Sequence, residues 1–562
     1  MSEKVHDFII VGGGVAGCVL AGRLREANPD SSILLLETGD DARDHDITQD
    51  VSGFPHVRGS VLDYAFDTVP QAGLGGRVMQ QWAGKCLGGS GSINAAGWTR
   101  GPACDYDRWA VLTGDDSWNY ENMLPYFRKT ETYNAVGSDT AHGKTGPLQV
   151  KVSTRAERLW PMHDLVGSLW ASEGLKWNKD LNSGSPLGYG YPGSLWNRGK
   201  RQFPQVAYDV SLDNTKLGTK VHKILFHLPE YGKPLRARGL QTVDGQVFEA
   251  KEIILCAGVY ASPQILLHSG IGPREDLSKL GIEVLVPNDE VGKNLRDDLN
   301  VRQIFKLASA DIHGGVGNPA VPFAPELFHE LPIDHFAYTQ AGDREAVLQA
   351  LRDDGIADPD SHPLMHPDKV HQEVYIMYLA LLSGIEAQKL GIQQDGTCIT
   401  TSVYNMAPTS RGTIRLASNN PNDRPIIDPA YLSSKVDRVI MRDALRRVYR
   451  LLMFPAANAG PATVLSEVLL DESHNPLTRN LTDEECDARI MHCSESGAHP
   501  SGTCAMGKVT DSRLRVFGTE GLRVIDASSF PDGISAHIQA AVYALAEQGA
   551  DMLISDTTRS VK

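Results

Sequence analysis

Phe8-Ile9-Ile10-Val11-Gly12-Gly13-Gly14-Val15-Ala16-Gly17 is the stretch whose reading decides the fold. Its four leading apolar residues read as a short buried strand. Residues 18–27 continue in a helical pattern, and a second apolar run, Ile33-Leu34-Leu35-Leu36, ends on Glu37. Strand, glycine turn, helix and strand with a terminal acid is the order an adenine dinucleotide requires. Gly12 permits the tight turn, Gly14 lets a pyrophosphate approach the backbone, and Gly17 lets the helix sit close to the sheet. Val15 and Ala16 open a helix whose first N–H groups lack internal partners and carry partial positive charge. Glu37, twenty residues past Gly17, is placed to accept hydrogen bonds from an adenosine ribose, and its charge disfavours a 2′-phosphate. A GxGxxG triplet alone is weak evidence, but this setting makes it a specific one.

Outward from that unit the chain shows no internal repeat and no low-complexity tract. A glycine-rich stretch follows, Gly84-Lys85-Cys86-Leu87-Gly88-Gly89-Ser90-Gly91-Ser92-Ile93-Asn94. Sheet-like patterns return at 221–226 and 247–257, with a helical run at 263–268. Residues 310–369 are irregular and rich in Pro, Asp and His, which predicts a functional loop or polar lid. Strands are expected at 373–382, 397–405 and near 413–416, and an amphipathic helix at 435–452. The tail predicts a strand at 522–526 and a helix at 538–554, resembling the opening in character, so the chain is expected to return to its nucleotide unit.

With 562 residues there is room for at least two domain-sized units. A net charge of −15 and the lack of a Lys/Arg-rich stretch argue against nucleic acid or acidic lipid as partners. No apolar run reaches the roughly eighteen residues needed to cross a bilayer, and the first strand begins too early for a signal peptide. Eight cysteines are scattered without CxxC or zinc spacing. These features predict a cytoplasmic protein, monomeric or homodimeric, without a membrane partner.

Two histidines near the C-terminus are the catalytic candidates: His499, opening His499-Pro500-Ser501-Gly502-Thr503-Cys504-Ala505-Met506-Gly507, and His537, just before an alanine-rich helix. Neither has acids or thiols at zinc-ligand spacing around it, so no metal is expected. The histidines between 313 and 371 are better read as loop residues than as ligands, because Pro363 and Pro367 break any helical face. Five blocks, taken in order, resemble the glucose–methanol–choline (GMC) oxidoreductases. They are the GGGVAG turn with Glu37, the GKCLGGSGSIN stretch, residues 258–272 (GVYASPQILLHSGIG), Val291-Gly292-Lys293-Asn294-Leu295, and the region from His499 to His537.

The resemblance implies an α/β protein in which a Rossmann-like FAD-binding domain (1–158, 219–298 and 505–562) is interleaved with a substrate domain (159–218 and 299–504) built on an antiparallel β-sheet with helices. It implies noncovalent FAD, since Ile93 stands where some members carry a histidine attached to the cofactor. Gly88, Gly89, Ser90, Ser92 and Asn94 would lie along the flavin and pyrophosphate, Val221 near the adenine, and Asp526 and Ala527 near the phosphates and ribityl chain. Gly84, Lys85, Ala95, Ala257, Gly258 and Ile538 complete the implied cofactor set. The helix after His537 would direct its positive end at the flavin's pyrimidine ring. His499 matches the family's base beside the flavin and His537 its partner, holding the oxygen of the alcohol substrate. An alcohol oxidase that reduces dioxygen to hydrogen peroxide is the leading expectation. A dehydrogenase passing electrons to a quinone or protein, and a non-redox lyase or cyclase of the same fold, are the alternatives. The sequence departs from the family at Trp82-Ala83, at Val259, and at Asp297-Asp298 where Asp-His is common; none of these is expected to touch the proton chemistry.

Overall fold

A computed structural model describes residues 4–135, 140–152, 154, 158–228, 231–308, 314–319, 321, 325–381, 388, 390–454, 463–468 and 480–560. Two large sheets organise it. The first runs in the order Thr215–Lys216, Ile33–Leu36, Val5–Val11, Val247–Leu255, Leu235–Thr242, Val221–Phe226. Val5–Val11 pairs in parallel with both Ile33–Leu36 and Val247–Leu255. Leu522–Val524 joins in parallel beside Val247–Leu255, which is the expected return of the chain's tail.

Burial explains the unbroken apolar runs of these strands. Phe8, Ile10, Ile33, Leu35 and Ile254 pack into a core with residues of the helices Val15–Ala27 and Gln539–Ser560. Ile9, Val11, Leu34, Leu36, Ile253 and Leu255 pack on the opposite face with Ile265, Leu266 and Leu267 of the helix Gly258–His268. A sheet covered on both sides has no polar face to alternate with.

The second sheet is antiparallel, in the order Gly188–Gly190, Phe336–Thr339, Gln372–Met377, Cys398–Asn405, Leu299–Leu307, Val464–Glu467, with Ser494–Ser496 also on Leu299–Leu307. Here the two-residue period is plain. Ala337, Val374, Ile376, Val403, Val301 and Phe305 pack in one core with Met441, Ala444, Leu445 and Val448 of the helix Lys435–Met453. The alternate residues, among them Phe336, Tyr375, Met377, Tyr404 and Arg302, line a large cavity. The segment 159–218 divides between these layers: Thr215–Lys216 extends the first sheet, whereas Gly188–Gly190 extends the second.

The described residues between 314 and 369 are more ordered than the composition of the stretch predicts. Residues 310–313 (with His313), 320 and 322–324 lie outside the described residues, but Phe336–Thr339 is a strand and Arg344–Asp353 a helix capped by Asp343, whose carboxylate accepts from the Ala346 amide at 2.9 Å. All four strand residues are buried, so no alternation marks them. Two of the histidines here bond neighbouring backbone: His371 Nε2 bonds the Leu364 carbonyl at 2.7 Å, and His362 Nδ1 accepts from the Leu364 amide at 3.3 Å. Among the described residues no cluster of three or more His, Cys, Asp or Glu side chains could hold a metal. Among them, too, no helix is long and apolar enough to cross a membrane.

Candidate active site

The glycine turn is built as its residue types demand. Gly12 has φ +103°, and a Cβ there would lie 2.4 Å from the Cys256 carbonyl oxygen. A Cβ on Gly17 would lie 2.0 Å from the Gly12 oxygen, so this glycine seats the helix on the turn. Gly14 differs: the nearest atom to its Cβ would be Gly89 Cα at 3.9 Å, so its face opens on the cavity. As N-cap of Val15–Ala27 it offers no side-chain capping bond, which leaves the first N–H groups for a ligand. The buried Glu37 accepts from the amides of Gly13 and Gly39, each at 2.8 Å, and burial, partly offset by these bonds, pushes its pKa up to about 7.

One cavity of about 1330 Å³ joins these groups to the histidines. Gly12, Gly14, Val15, Ala16, Glu37, Gly84, Lys85, Gly89, Ser90, Asn94, Ala95, Val221, Ala257, Gly258, Asp526, Ala527 and Ile538 all line it. Gly17, Gly88 and Ser92 do not. Gly88 instead donates its amide to the Gly13 oxygen at 2.6 Å, and the buried Ser92 hydroxyl turns inward to the Leu87 carbonyl at 3.4 Å. These three shape the cradle from behind. Asp526 is likewise occupied by the protein, accepting from the Gly258 amide at 2.8 Å and the Ser262 hydroxyl at 2.6 Å.

The volume exceeds the roughly 300–1,000 Å³ of ordinary ligand pockets. Together with a glycine face open at Gly14, it fits an extended dinucleotide with space for a substrate beside it. Glu37 and Val221 are lining residues that could hold an adenosine. Gly14 stands where the phosphates would meet the helix, and Asn94, Ala95 and Ile538 lie toward the histidines.

At the other end two imidazoles meet directly. His537 Nδ1 and His499 Nε2 are 2.8 Å apart, with the rings nearly perpendicular at 83°. Each outer nitrogen is held by a carboxylate: His499 Nδ1 by Asp298 at 3.0 Å, and His537 Nε2 by the fully buried Glu373 at 2.8 Å. With both outer N–H groups donating to carboxylates, a single proton lies between the rings. Burial opposes charge on His537, but Glu373 and then Asp298 outweigh it and hold its pKa above the usual histidine value. In this arrangement the second ring bonds the first rather than a shared substrate oxygen.

Backbone contacts aim both rings. The His499 amide donates to Asp297 at 2.9 Å, and Ala498 before it takes the left-handed conformation, φ +59°. The His537 amide donates to the Thr99 hydroxyl at 2.9 Å, and the Ser535 amide to Asp105 at 2.7 Å. Tyr404 lies 5.9 Å from the His499 ring and 5.7 Å from that of His537, and Phe336 lies 5.7 Å from His537.

The two histidines and most of the residues expected to hold a cofactor line one cavity. The expectation that Asp297-Asp298 stands clear of the proton chemistry is corrected: both acids bond His499, one at the ring and one at the backbone. Glu373 is not among the sequence candidates, although an acid at the head of the apolar run Val374–Met377 is the signal that points to it.

The fold and its cavity first define a class, the α/β oxidoreductases with an FAD-binding fold. Residues 6–300 and 408–546 match the N-terminal and C-terminal models of the family described as GMC oxidoreductase. The GMC-type oxidoreductase acuG of Aspergillus aculeatus is 34% identical over 98% of this chain and 100% of its own length. The oxygen-dependent choline dehydrogenase of Paraburkholderia phymatum is 32% identical over 98% of this chain and 93% of its own. Among solved structures, pyridoxine 4-oxidase from Mesorbium loti superposes with a TM-score of 0.80 at 28% identity, covering 97% of this chain and 98% of that one. The chain belongs to the GMC oxidoreductase family, whose members use FAD and act on CH–OH groups.

Proposed function

We propose that this protein oxidises the CH–OH group of a small alcohol to an aldehyde or ketone, holds FAD noncovalently, and uses dioxygen as final acceptor, releasing hydrogen peroxide. The observation that carries this reading is the carboxylate-clamped imidazole pair on the wall of the cavity that the glycine cradle opens into. When bound, FAD supplies a two-electron acceptor for the hydride leaving the substrate carbon.

His499 Nε2 is the base. An alcohol hydroxyl replaces the ring-to-ring hydrogen bond, and its proton passes to His499 as the carbon–hydrogen bond breaks. Asp298 fixes the His499 ring and stabilises the imidazolium that results. His537, whose charged form Glu373 favours, donates from Nδ1 to the same oxygen and stabilises its alkoxide character. The positive charge that remains on the pair then favours negative charge developing on dioxygen at this wall. Two of the relatives support dioxygen as acceptor by their names, an oxygen-dependent choline dehydrogenase and a pyridoxine oxidase. Ile93 supports a noncovalent cofactor, because the residue lining the cavity there has no nucleophile.

An aerobic panel of alcohols read by peroxide, paired with anaerobic bleaching of the flavin, tests the reading. Bleaching with peroxide supports it in full. Bleaching without peroxide replaces dioxygen with a quinone or protein acceptor, and no bleaching with any alcohol rejects oxidation of alcohols altogether.

A further inference from the structure

We infer that the arm of the cavity beyond Tyr404 is an anion subsite formed by Arg302 and Arg58, and that the substrate is an alcohol that also carries a carboxylate. This deepens the proposed alcohol oxidation and rests on it. The second sheet sets the geometry. Glu373 pairs with Tyr404 and Tyr404 with Asn300 across one row; Phe336, Tyr375, Ser402 and Arg302 form the next. Glu373 holds His537, so the first row ends at the proton site and the second begins one side-chain repeat away, about 7 Å along the strands. Arg302 sits on that second row, on the cavity-facing side.

Arg58 also lines the cavity, its guanidinium 3.6 Å over the Trp82 ring. Both arginines converge on one carboxylate. Arg302 pairs with Glu495 Oε1, and Arg58 Nη1 lies 3.4 Å from Glu495 Oε2, while Asn300 donates to the same acid at 3.1 Å. Two cations against one anion leave a net positive charge, and Arg302 Nε is buried without a hydrogen-bond partner. Arg77 adds to it, since the oxygens it reaches at Met491 and Ser494 are neutral carbonyls. At the proton site the charge on His537 offsets Glu373, and Arg302, Arg58 and Arg77 against Glu495 and Asp298 still leave the arm positive on balance.

A planar carboxylate suits paired guanidinium forks better than any cation or neutral group does. Between the subsite and the histidines the walls are the rings of Phe336, Tyr375 and Tyr404, with Phe336 stacked on Tyr375 at 5.0 Å. A flat spacer of ring size fits this passage, so a hydroxymethyl-substituted aromatic carboxylate is the substrate class. A quaternary ammonium alcohol such as choline is disfavoured by the same charge.

The test uses the FAD-loaded enzyme and two non-oxidisable ligands of one shape, 4-methylbenzoate and 4-methylbenzamide, titrated at fixed ionic strength against the flavin absorption. The wild type is expected to bind the carboxylate about ten-fold or more tightly than the amide. Arg302→Gln brings that ratio close to one, and Arg302→Lys restores part of it. Arg58→Gln serves as the second variant, with a smaller loss of the ratio. Equal or tighter binding of the amide by wild type overturns the subsite, and so does an equal loss of both ligands in the variants. Failure of the underlying reading is separate: a wild type that prefers the carboxylate but is bleached by no alcohol, 4-(hydroxymethyl)benzoate included, keeps the subsite and loses the oxidation.

Discussion

The two ends of the cavity are made differently. The cofactor end is made mostly of backbone: a glycine turn, a helix start and the amides around Glu37, with Gly12 through Glu37 supplying much of it from one short segment. The proton end is made of side chains from four distant places, with Asp298 and His499 separated by 201 residues and Glu373 and His537 by 164. A backbone cradle tolerates few residue types, because an added Cβ collides or fills the site. A side-chain array depends instead on the register of a sheet that delivers each group. Substitutions at the two ends should therefore fail in different ways.

The largest expected effect lies at the proton end. His499→Ala should keep its yellow colour while anaerobic flavin reduction by an alcohol slows about a hundred- to ten-thousand-fold. Reduction at the wild-type rate would remove His499 from the base role.

At the cofactor end, two glycines three residues apart should separate binding from folding. Gly14→Ala places a methyl group in open cavity, so FAD affinity should fall about ten-fold or more while the FAD-free protein loses only about 1 kcal/mol or less at the helix cap. Gly17→Ala drives a methyl group onto the Gly12 carbonyl and should cost the FAD-free protein about 1–3 kcal/mol in thermal or denaturant unfolding. Matching losses in both variants would erase the distinction between cavity face and packing face.

Glu373→Gln should slow flavin reduction about ten-fold and move the His537 ionisation to lower pH, read by NMR titration of the ring. The smallest effect concerns stability. The folded His537 pKa is raised, so its contribution is fully present below the unfolded value near 6.5 and is lost as pH rises through the folded value. The unfolding free-energy gap between wild type and Glu373→Gln should therefore be widest just below about pH 6.5 and narrow above it. A gap that widens with rising pH would mean that Glu373 does not hold charge on the ring.

The same contrast explains what could be read from the amino-acid sequence. Val5–Val11, Ile33–Leu36 and Val221–Phe226 were legible because strands buried on one or both faces leave local apolar patterns. Gly17 and Ser92 were legible as members of the motif, but not as residues that support the cradle from behind. Phe336–Thr339 and Arg344–Asp353 were hidden among prolines, acids and histidines, where composition outweighed a four-residue strand and a single amphipathic helix. The histidine pair was visible through its motifs. Its carboxylate clamps were not, because nothing local to Asp298 or Glu373 reveals a partner so far along the chain.

A crystal structure of the FAD-loaded protein tests the central claim most directly. The account predicts the adenosine at Glu37 and Val221, the pyrophosphate on the Gly14 face, and the isoalloxazine with its reactive edge turned to His499 and His537. A flavin seated elsewhere, or one whose reactive edge faces away from both imidazoles, would contradict it.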